Sequence, residues 1–370
     1  MRCAVSSRNS APRTRHGRTR CRTVRTRASR YVRVVRQGRS RGSREQDGSP
    51  PSNHVRPEPP AGTAGSFRQA RLAHLDLAVS PYIYISPFFI IFAVFGVYPV
   101  LYTFWVSLHD WAPGALDPQM IGMQNYVDLW ADSQFWNAVQ NTFGMFFLST
   151  IPQLLLALGL ANALNRRVRG RTFFRMSIAL PIITSTAAVA IVFSQLFNRD
   201  FGIVNYALEL LGKQEHIDWQ ANRFASWAAI SAMVDWRWTG YNALIYLAAM
   251  QSIPKDIYES AEMDGASKSR QFWRITVPLL RPTIIFTVII STIGGLQLFT
   301  EPLLYSSGAG AISGGSTGQF QTVTMYLYQS MYSRGKFGYA AAIAWMLFLM
   351  VVLTVAVNYL ITRRINSTGK

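Results

Sequence analysis

Three ionisable residues, Asp235, Arg237 and Glu301, interrupt stretches of sequence that are otherwise strongly apolar. A charged side chain at the centre of a membrane-spanning helix costs about 3 kcal/mol on insertion scales, so such residues are candidates for function. Asp235 and Arg237 are two positions apart, and residues at this spacing do not share a face of a helix. We therefore expect them to pair with different neighbours, or to mark the outer end of a shorter apolar segment.

A candidate solute pathway surrounds Glu301. Gln297 and Glu301 are four residues apart and face together on a helix, with Thr300 beside them. Planar amide and carboxylate groups beside an aromatic ring suit a hydroxyl-rich solute such as a sugar, and Trp238 or Tyr305 is the candidate ring. The same polar groups also serve as packing contacts between membrane helices. The residue types alone leave both interpretations open.

Residues 253–282 form a second set with informative spacing. Pro254 suits the first turn of a helix, because its missing N–H is not needed there. Gly265 suits a left-handed turn that ends a helix, and Pro278 and Pro282 break the chain further on. The pattern predicts a short helix–turn–helix hairpin, which on physical grounds fits the groove of a soluble partner as well as a lipid surface.

Several kinds of chemistry are missing from the sequence. The two cysteines, Cys3 and Cys21, both lie near the N-terminus, so the rest has no cysteine nucleophile, disulfide or cysteine metal ligand. No Gly-Lys pair is followed by Ser or Thr, so there is no P-loop, and the Gly-rich residues 306–319 are predicted to be a flexible external connector. We expect a protein that is not an enzyme, with no catalytic residues, no metal site and no cofactor of its own.

The composition indicates a membrane protein. Only 15% of the residues are charged and 49% are hydrophobic, whereas a soluble domain has about 25% charged residues. A helix needs about 20 apolar residues to cross a bilayer. Six stretches are long enough, namely residues 82–108, 138–165, 176–198, 224–250, 282–305 and 337–362. We predict an all-α integral membrane protein with six transmembrane helices, since a soluble helical bundle would need polar helix faces that these stretches lack.

The distribution of Lys and Arg predicts the orientation. The loops after the second and fourth stretches, together with the C-terminal end, hold 13 of these residues, against five in the opposite loops. Basic residues are retained on the cytoplasmic side, so both termini are predicted to be cytoplasmic.

The N-terminal tail, residues 1–75, differs from the rest. It contains 18 Arg, no Lys and only three acidic residues, and we expect it to be disordered because it has little apolar surface to bury. It is either an Arg-rich arm for nucleic acid or anionic lipid, or a leader absent from the mature protein. We favour the leader, since the tail has few aromatic residues for base stacking.

The hairpin sequence carries a family resemblance. The matching positions are Glu259-Ser260-Ala261, Asp264-Gly265-Ala266, Phe272, Ile275, Pro278 and Pro282. In this order and spacing, residues 253–282 resemble the EAA loop of binding-protein-dependent ABC importer permeases, with Ser260 where that family usually has Ala. The run from Leu247 to Pro254 resembles the sugar-importing branch of the family, and the likeness extends over residues 135–365.

The resemblance implies a type I ABC importer permease in the bacterial inner membrane, with the first helix and first outer loop in residues 76–134 and the permease domain in residues 135–365. It implies that residues 253–282 fit a cleft on a cytoplasmic ATPase, through Glu259, Ala261, Asp264, Gly265, Ile275 and Pro278. The implied partners are a second homologous permease, two ATP-binding cassette subunits that use ATP, and an extracytoplasmic sugar-binding protein. No nucleic acid is expected as a partner.

Three other functions remain open from the sequence. The first is an ABC permease of the same architecture for a non-sugar solute, such as a polyamine or phosphate. The second is a secondary transporter driven by an ion gradient, with membrane carboxylates as its ion sites. The third is a membrane scaffold that transports nothing.

Overall fold

The computed structural model describes residues 80–367 apart from 81, 115–116, 167–168, 213–215, 307 and 309, with side chains as far as Ile361. The predicted tail, residues 1–75, lies outside the described residues. The described part is mostly helical. The all-α prediction holds except for one small antiparallel hairpin, in which β1 (His109–Asp110) pairs with β2 (Gln119–Met120).

Most of the helices follow one another closely along the chain, with longer connections after α1, α6 and α11. In chain order they are α1 (Tyr82–Ser107), α2 (Gln124–Ala131), α3 (Ser133–Asn165), α4 (Arg171–Ile183), α5 (Thr186–Leu196), α6 (Ile203–Leu210), α7 (Arg223–Gln251), α8 (Lys255–Met263), α9 (Lys268–Leu279), α10 (Arg281–Leu296), α11 (Thr300–Tyr305), α12 (Val323–Tyr328) and α13 (Phe337–Ser367). Short π-helical turns occur within α1 and α9 and directly after α12, at Ala93–Val97, Phe272–Thr276 and Gln329–Ser333.

Three of the described helices, α1, α3 and α13, are long and apolar enough to cross a membrane as single elements. Two further candidates are bent pairs, with α4 and α5 meeting at 95° and α9 and α10 at 69°. Helix α7 has 29 residues and contains the fourth predicted stretch, but it carries Asp235 and Arg237. Because α4 and α5 meet at 95°, the third predicted stretch, residues 176–198, is not one straight helix.

The fifth predicted stretch is also broken. The break lies at residues 297–299, between α10 and α11 and ahead of Pro302. The Leu298 carbonyl, which the break frees from helical bonding, accepts hydrogen bonds from the hydroxyls of Thr322 at 2.8 Å and Thr324 at 2.5 Å. The backbone is thus satisfied by side chains from a distant segment, as buried irregular backbone requires.

Glycines allow close contact between the central helices. A Cβ on Gly240 of α7 would lie 1.8 Å from the Ile178 carbonyl oxygen of α4, and one on Gly295 of α10 would lie 2.8 Å from the Phe146 ring of α3. Small residues at such crossings let membrane helices approach closely enough to gain van der Waals contact. These two glycines therefore permit close packing of α7 on α4 and of α10 on α3.

The Gly-rich segment before α12 is packed, not free. Phe320 is fully buried and Gln319 is 4% exposed. The side-chain amides of Asn137 and Asn141 on α3 donate to the Gly318 carbonyl at 2.8 and 2.7 Å. The prediction of a flexible connector is therefore wrong for the second half of this segment, because buried polar groups of α3 bind its backbone.

Candidate functional site

A cavity of about 380 Å³ lies among α3, α7 and α10, next to the break at residues 297–299. Its polar lining combines hydroxyl, amide and carboxylate groups from Ser149, Thr150, Gln153, Asn242, Ser291, Gln297, Thr300 and Glu301. Trp238 and Tyr241 of α7 add aromatic surface. Pockets of about 300–1,000 Å³ with mainly apolar walls and a few placed polar groups are typical of small-molecule sites.

The cavity contains four of the five residues predicted for a solute pathway. Trp238, Gln297, Thr300 and Glu301 all line it, whereas Tyr305 does not. Tyr305 is 1% exposed and packs against Phe320 with ring centroids 5.8 Å apart. The break before α11 changes the helix direction, so Tyr305 lies under the packed loop instead of beside the cavity.

Two of the three charged residues of the apolar stretches, Arg237 and Glu301, pair with each other. The Arg237 guanidinium of α7 donates from Nη1 to Glu301 Oε1 of α11 at 2.8 Å, and the two side chains are 9% and 10% exposed. Asp235 takes no part in this pair, and its Oδ1 is buried without a hydrogen-bond partner in the described part of the chain. Glu301 is thus both a wall of the cavity and one half of a buried ion pair.

Sequence reasoning missed several polar residues of the cavity. Gln153 lies on α3 and is 3% exposed, and Asn242 on α7 is 2% exposed. Asn242 donates from Nδ2 to the Ser291 hydroxyl of α10 at 3.5 Å. The available signal was an uncharged amide inside a long apolar stretch, which is weaker than the signal from a charge.

The predicted hairpin is present as α8 and α9. Gly265 has φ of 74°, a left-handed conformation that glycine adopts without steric cost. The amide of Ala266 donates to the Ala261 carbonyl at 2.9 Å, and that of Gly265 donates to the Glu262 carbonyl at 3.0 Å. These two bonds form a Schellman motif, which ends α8 and turns the chain into α9.

The predicted coupling residues differ in exposure. Glu259, Asp264 and Gly265 are exposed, whereas Ala261 is buried and packs within the chain. Ile275 and Pro278, on α9, are both half-buried. Exposed acidic groups near the turn are thereby available to a partner, while the other positions fix the shape of the hairpin.

Met263 is a hairpin residue that sequence reasoning missed. Its side chain is 88% exposed, directly before Asp264 and Gly265 at the turn, and Ile257 is 38% exposed on the same helix. Single exposed apolar side chains are common on protein surfaces, so Met263 is of interest for its place at the turn that is predicted to meet a partner. The signal in the sequence was a large apolar residue next to the helix end.

An ion pair closes the hairpin turn. Lys268, at the start of α9, bonds to the Glu262 carboxylate near the end of α8. The hydrogen bond and the positive charge of Lys268 lower the pKa of Glu262 from its ordinary value. Both groups are solvent-exposed, so the pair contributes little to stability but orients the turn.

A polar cluster surrounds Asp132 at the N-terminal end of α3. The Asp132 carboxylate caps α3 by accepting from the Gln134 amide at 2.8 Å, and it also accepts from the hydroxyls of Tyr326 and Tyr339. Burial raises the pKa of Asp132, but these hydrogen bonds outweigh burial and leave the pKa below its ordinary value. Arg334 extends the cluster by donating to Tyr326 at 3.1 Å.

The comparisons with known proteins agree on one class. Residues 153–367 match the family model for the binding-protein-dependent transport system inner membrane component. The lactose transport system permease protein LacF of Rhizobium radiobacter is 37% identical over 279 residues, which cover 74% of this chain and 91% of that protein. The arabinooligosaccharides transport system permease protein AraP of Bacillus subtilis is 32% identical over 305 residues, which cover 82% and 93%.

A solved structure has the same fold. It is the crystal structure of a bacterial alginate ABC transporter in complex with an alginate pentasaccharide-bound periplasmic protein. The matching chain has a TM-score of 0.67 and 22% identity, with 80% of this chain and 97% of that chain covered. At this identity the match establishes the fold alone.

Proposed function

Because the chain belongs to the family of binding-protein-dependent transport system inner membrane components, we propose that it is the permease subunit of an ATP-driven sugar importer. It is a multi-pass protein of the bacterial inner membrane and a transport component, not an enzyme. The observation that carries the sugar assignment is the set of relatives named as lactose and arabinooligosaccharide permeases, which the chain matches over about nine-tenths of their length.

The cavity supports this assignment chemically. Glu301, Gln297 and Asn242 offer carboxylate and amide groups that bind hydroxyls in pairs, and Trp238 offers a face for a sugar ring. Arg237 holds the Glu301 carboxylate in one position, so the acceptor is oriented before solute arrives. We expect Trp238, Gln297, Thr300 and Glu301 to contact the solute, whereas Tyr305 is buried outside the cavity.

The topology is part of the proposal. Six spans follow when α7 is added to the three single helices and the two bent pairs, and both termini are then cytoplasmic. The chain would pair with a second homologous permease, two cytoplasmic ATPases and an extracytoplasmic sugar-binding protein. ATP would be bound by those ATPases, since this chain lacks a P-loop sequence.

The hairpin of α8 and α9 is the proposed coupling element. Its exposed turn, with Met263 flanked by Glu259 and Asp264, suits a cleft that combines an apolar pocket with basic or donor groups. ATP-driven closure of the ATPases would move this turn, and the packing of α8 and α9 against the ends of the spans would transmit the movement to the cavity.

Disulfide crosslinking tests the coupling assignment. In a background with Cys3→Ser and Cys21→Ser, Met263→Cys should crosslink to a single cysteine in the ATPase cleft of the assembled transporter. Tyr332→Cys, whose side chain is 64% exposed at the other end of the bundle, is the matched control and should not crosslink. Failure of Met263→Cys to capture the ATPase while uptake remains active would refute the proposed coupling role.

Uptake assays test the class of transporter. Labelled sugar should accumulate only with ATP and a sugar-binding protein present. Uptake that persists with ATP depleted and an ion gradient maintained would favour the secondary transporter, and uptake of polyamine or phosphate instead of sugar would favour the non-sugar permease.

A further inference from the structure

Two arginines of α4 converge on one neutral group at the end of α7. With the Gln251 amide oriented so that its oxygen faces them, this oxygen accepts from Arg171 Nη2 at 2.7 Å and from Arg175 Nη2 at 2.5 Å. Arg171 and Arg175 are one helical turn apart on the same face of α4. Two guanidinium groups are therefore held within a few ångströms of each other by a group that carries no charge.

Nothing in the described part of the chain neutralises this pair. No carboxylate of the described residues lies within 4.0 Å of either guanidinium. The Nε atoms of Arg171 and Arg175 are both buried without a hydrogen-bond partner there. Two like charges that are partly removed from water repel each other, and donors left unpaired cost additional free energy. A bound anion would remove both penalties.

The helix itself adds to the positive potential. Arg171 is the first residue of α4, so the free N–H groups and the positive end of the helix dipole lie beside the two guanidiniums. Gly170 precedes the helix with φ of 77° and offers no side chain that caps these N–H groups. Side chains and backbone thus favour the same ligand, which is a compact, multiply hydrogen-bonding anion such as a phosphate group.

The exposed face of α4 is apolar. Phe173, between the arginines, is 70% exposed, and Met176, Leu180 and Ile183, beyond them, are 68%, 62% and 77% exposed, on the side of the helix turned away from the two arginines. By the orientation proposed above, Arg171 and Arg175 lie at the cytoplasmic headgroup level, with these apolar side chains at the depth of the acyl chains. At this level of the membrane the phosphate closest to the arginines is that of a lipid headgroup, whereas a free phosphate ion would have to enter from the cytoplasm.

We propose that Arg171, Arg175 and the N-terminus of α4 bind the headgroup phosphate of an anionic phospholipid of the inner leaflet. Basic clusters between spans on the cytoplasmic side have this chemistry. The bound lipid would lie beside Gln251, four residues before α8 begins, and so next to the hairpin proposed to receive the ATPase. The site does not involve the solute cavity, and lipid binding can be measured whether or not the sugar assignment is correct.

Native mass spectrometry of the full-length purified chain, titrated with phosphatidylglycerol or phosphatidylcholine, tests this site. Each arginine near a lipid surface is worth about 1 kcal/mol, so Arg171→Gln with Arg175→Gln should weaken phosphatidylglycerol binding by about 10- to 30-fold. Binding of phosphatidylcholine should change little. Arg171→Lys with Arg175→Lys keeps the charge and should retain part of the affinity, which separates lipid binding from a folding defect.

The matched control removes the same charge from the same loop. Arg166→Gln with Arg169→Gln replaces two exposed arginines that do not converge on Gln251, and phosphatidylglycerol affinity should fall less than threefold. Equal losses of phosphatidylglycerol affinity in the two double variants would show that Arg171 and Arg175 do not form a specific site. Displacement of phosphatidylglycerol by millimolar inorganic phosphate would overturn the lipid assignment in favour of a free anion. If the variant with Arg171→Gln and Arg175→Gln lost ATPase binding when phosphatidylcholine was the only lipid, the arginines would bind a carboxylate of the partner instead of a lipid.

Discussion

Arg237 and Glu301 join α7 to α11 through one ion pair of 2.8 Å, with both side chains about nine-tenths buried. Glu301 is the second residue of α11, directly after the break that forms one wall of the cavity. The pair therefore adds a polar contact to a short helix that also packs through Pro302 and Tyr305. Its removal should affect both the assembly of the protein and the shape of the cavity.

Glu301→Gln should leave Arg237 as an uncompensated buried charge. Removal of one partner of a buried pair costs about 3–5 kcal/mol, so we expect reduced thermal stability as well as reduced uptake. The double variant Arg237→Met with Glu301→Leu should recover most of the stability but not the uptake, because the acceptor for solute is gone. Thermal unfolding and uptake measured on the same preparations distinguish the two effects. Unchanged sugar affinity and transport in Glu301→Gln would remove this residue from the solute pathway.

Trp238→Ala should weaken sugar transport by about tenfold in apparent affinity, because an aromatic stacking partner of this kind contributes about 1–2 kcal/mol. Trp236→Ala is the matched control, since Trp236 lies on the same helix but outside the cavity, where it packs against Phe193. Half-saturation constants from uptake at varied sugar concentration provide the measurement. Equal effects of the two substitutions would indicate a packing role for Trp238.

Gly265→Ala should impair coupling through backbone strain alone. A Cβ at Gly265 meets nothing within 4 Å, so the cost of about 1 kcal/mol arises from the φ of 74°. Gly212 offers a matched control, with φ of 91° and equally open space, but it lies in the segment after α6. We expect sugar-stimulated ATP hydrolysis to fall in Gly265→Ala and to remain normal in Gly212→Ala. The opposite result would place the coupling element elsewhere.

Asp132→Asn should destabilise the protein in a pH-dependent way. The pKa of Asp132 in the folded protein lies below its ordinary value of 3.8, so its charge contributes stability above that value and loses it as the pH falls through the folded pKa. At pH 7 we expect a loss of about 1 kcal/mol in the variant, since the group is only partly buried. The difference from the wild type should close below pH 4 in thermal unfolding, and a constant difference would show that the charge is not responsible.

Gly240→Ala should disrupt the contact between α7 and α4. The added Cβ would lie 1.8 Å from the Ile178 carbonyl oxygen, and backbone cannot yield as a side-chain tip does, so we expect a loss of about 3 kcal/mol. Gly159→Ala on α3 is the control, because its Cβ meets nothing within 4 Å, and it should be neutral or slightly stabilising. Thermal unfolding of the two variants provides the comparison.

The hairpin was the part most predictable from sequence, because its signals are local. A helix start at Pro254 and a left-handed glycine at Gly265 need only neighbouring residues to act. The predicted break at Pro278 is wrong, because Pro278 lies inside α9, which continues to Leu279. The turn at Gly265 and the helices on either side are confirmed. Met263 was missed because exposure at a turn depends on which face of α8 packs inward.

The breaks in the spans were less predictable, because apolar composition reports length and not direction. Residues 184–185 and 297–299 interrupt stretches that hold only one charged residue, Glu301, and that are each long enough for a single span. The bonds that make the second break tolerable come from Thr322 and Thr324, more than 20 positions away. For the same reason Tyr305 could not be separated from Glu301, which lies at a helical spacing from it but on the cavity side.

The hydroxyls of Thr322 and Thr324 connect the start of α12 to the Leu298 carbonyl in the wall of the cavity. A solute that enlarges the cavity at residues 297–299 has to displace this carbonyl, to which the start of α12 is bonded. Widening of the cavity and release of α12 are then one event. Substitutions at Thr322 or Thr324, which touch no solute, would therefore still change the rate of sugar transport.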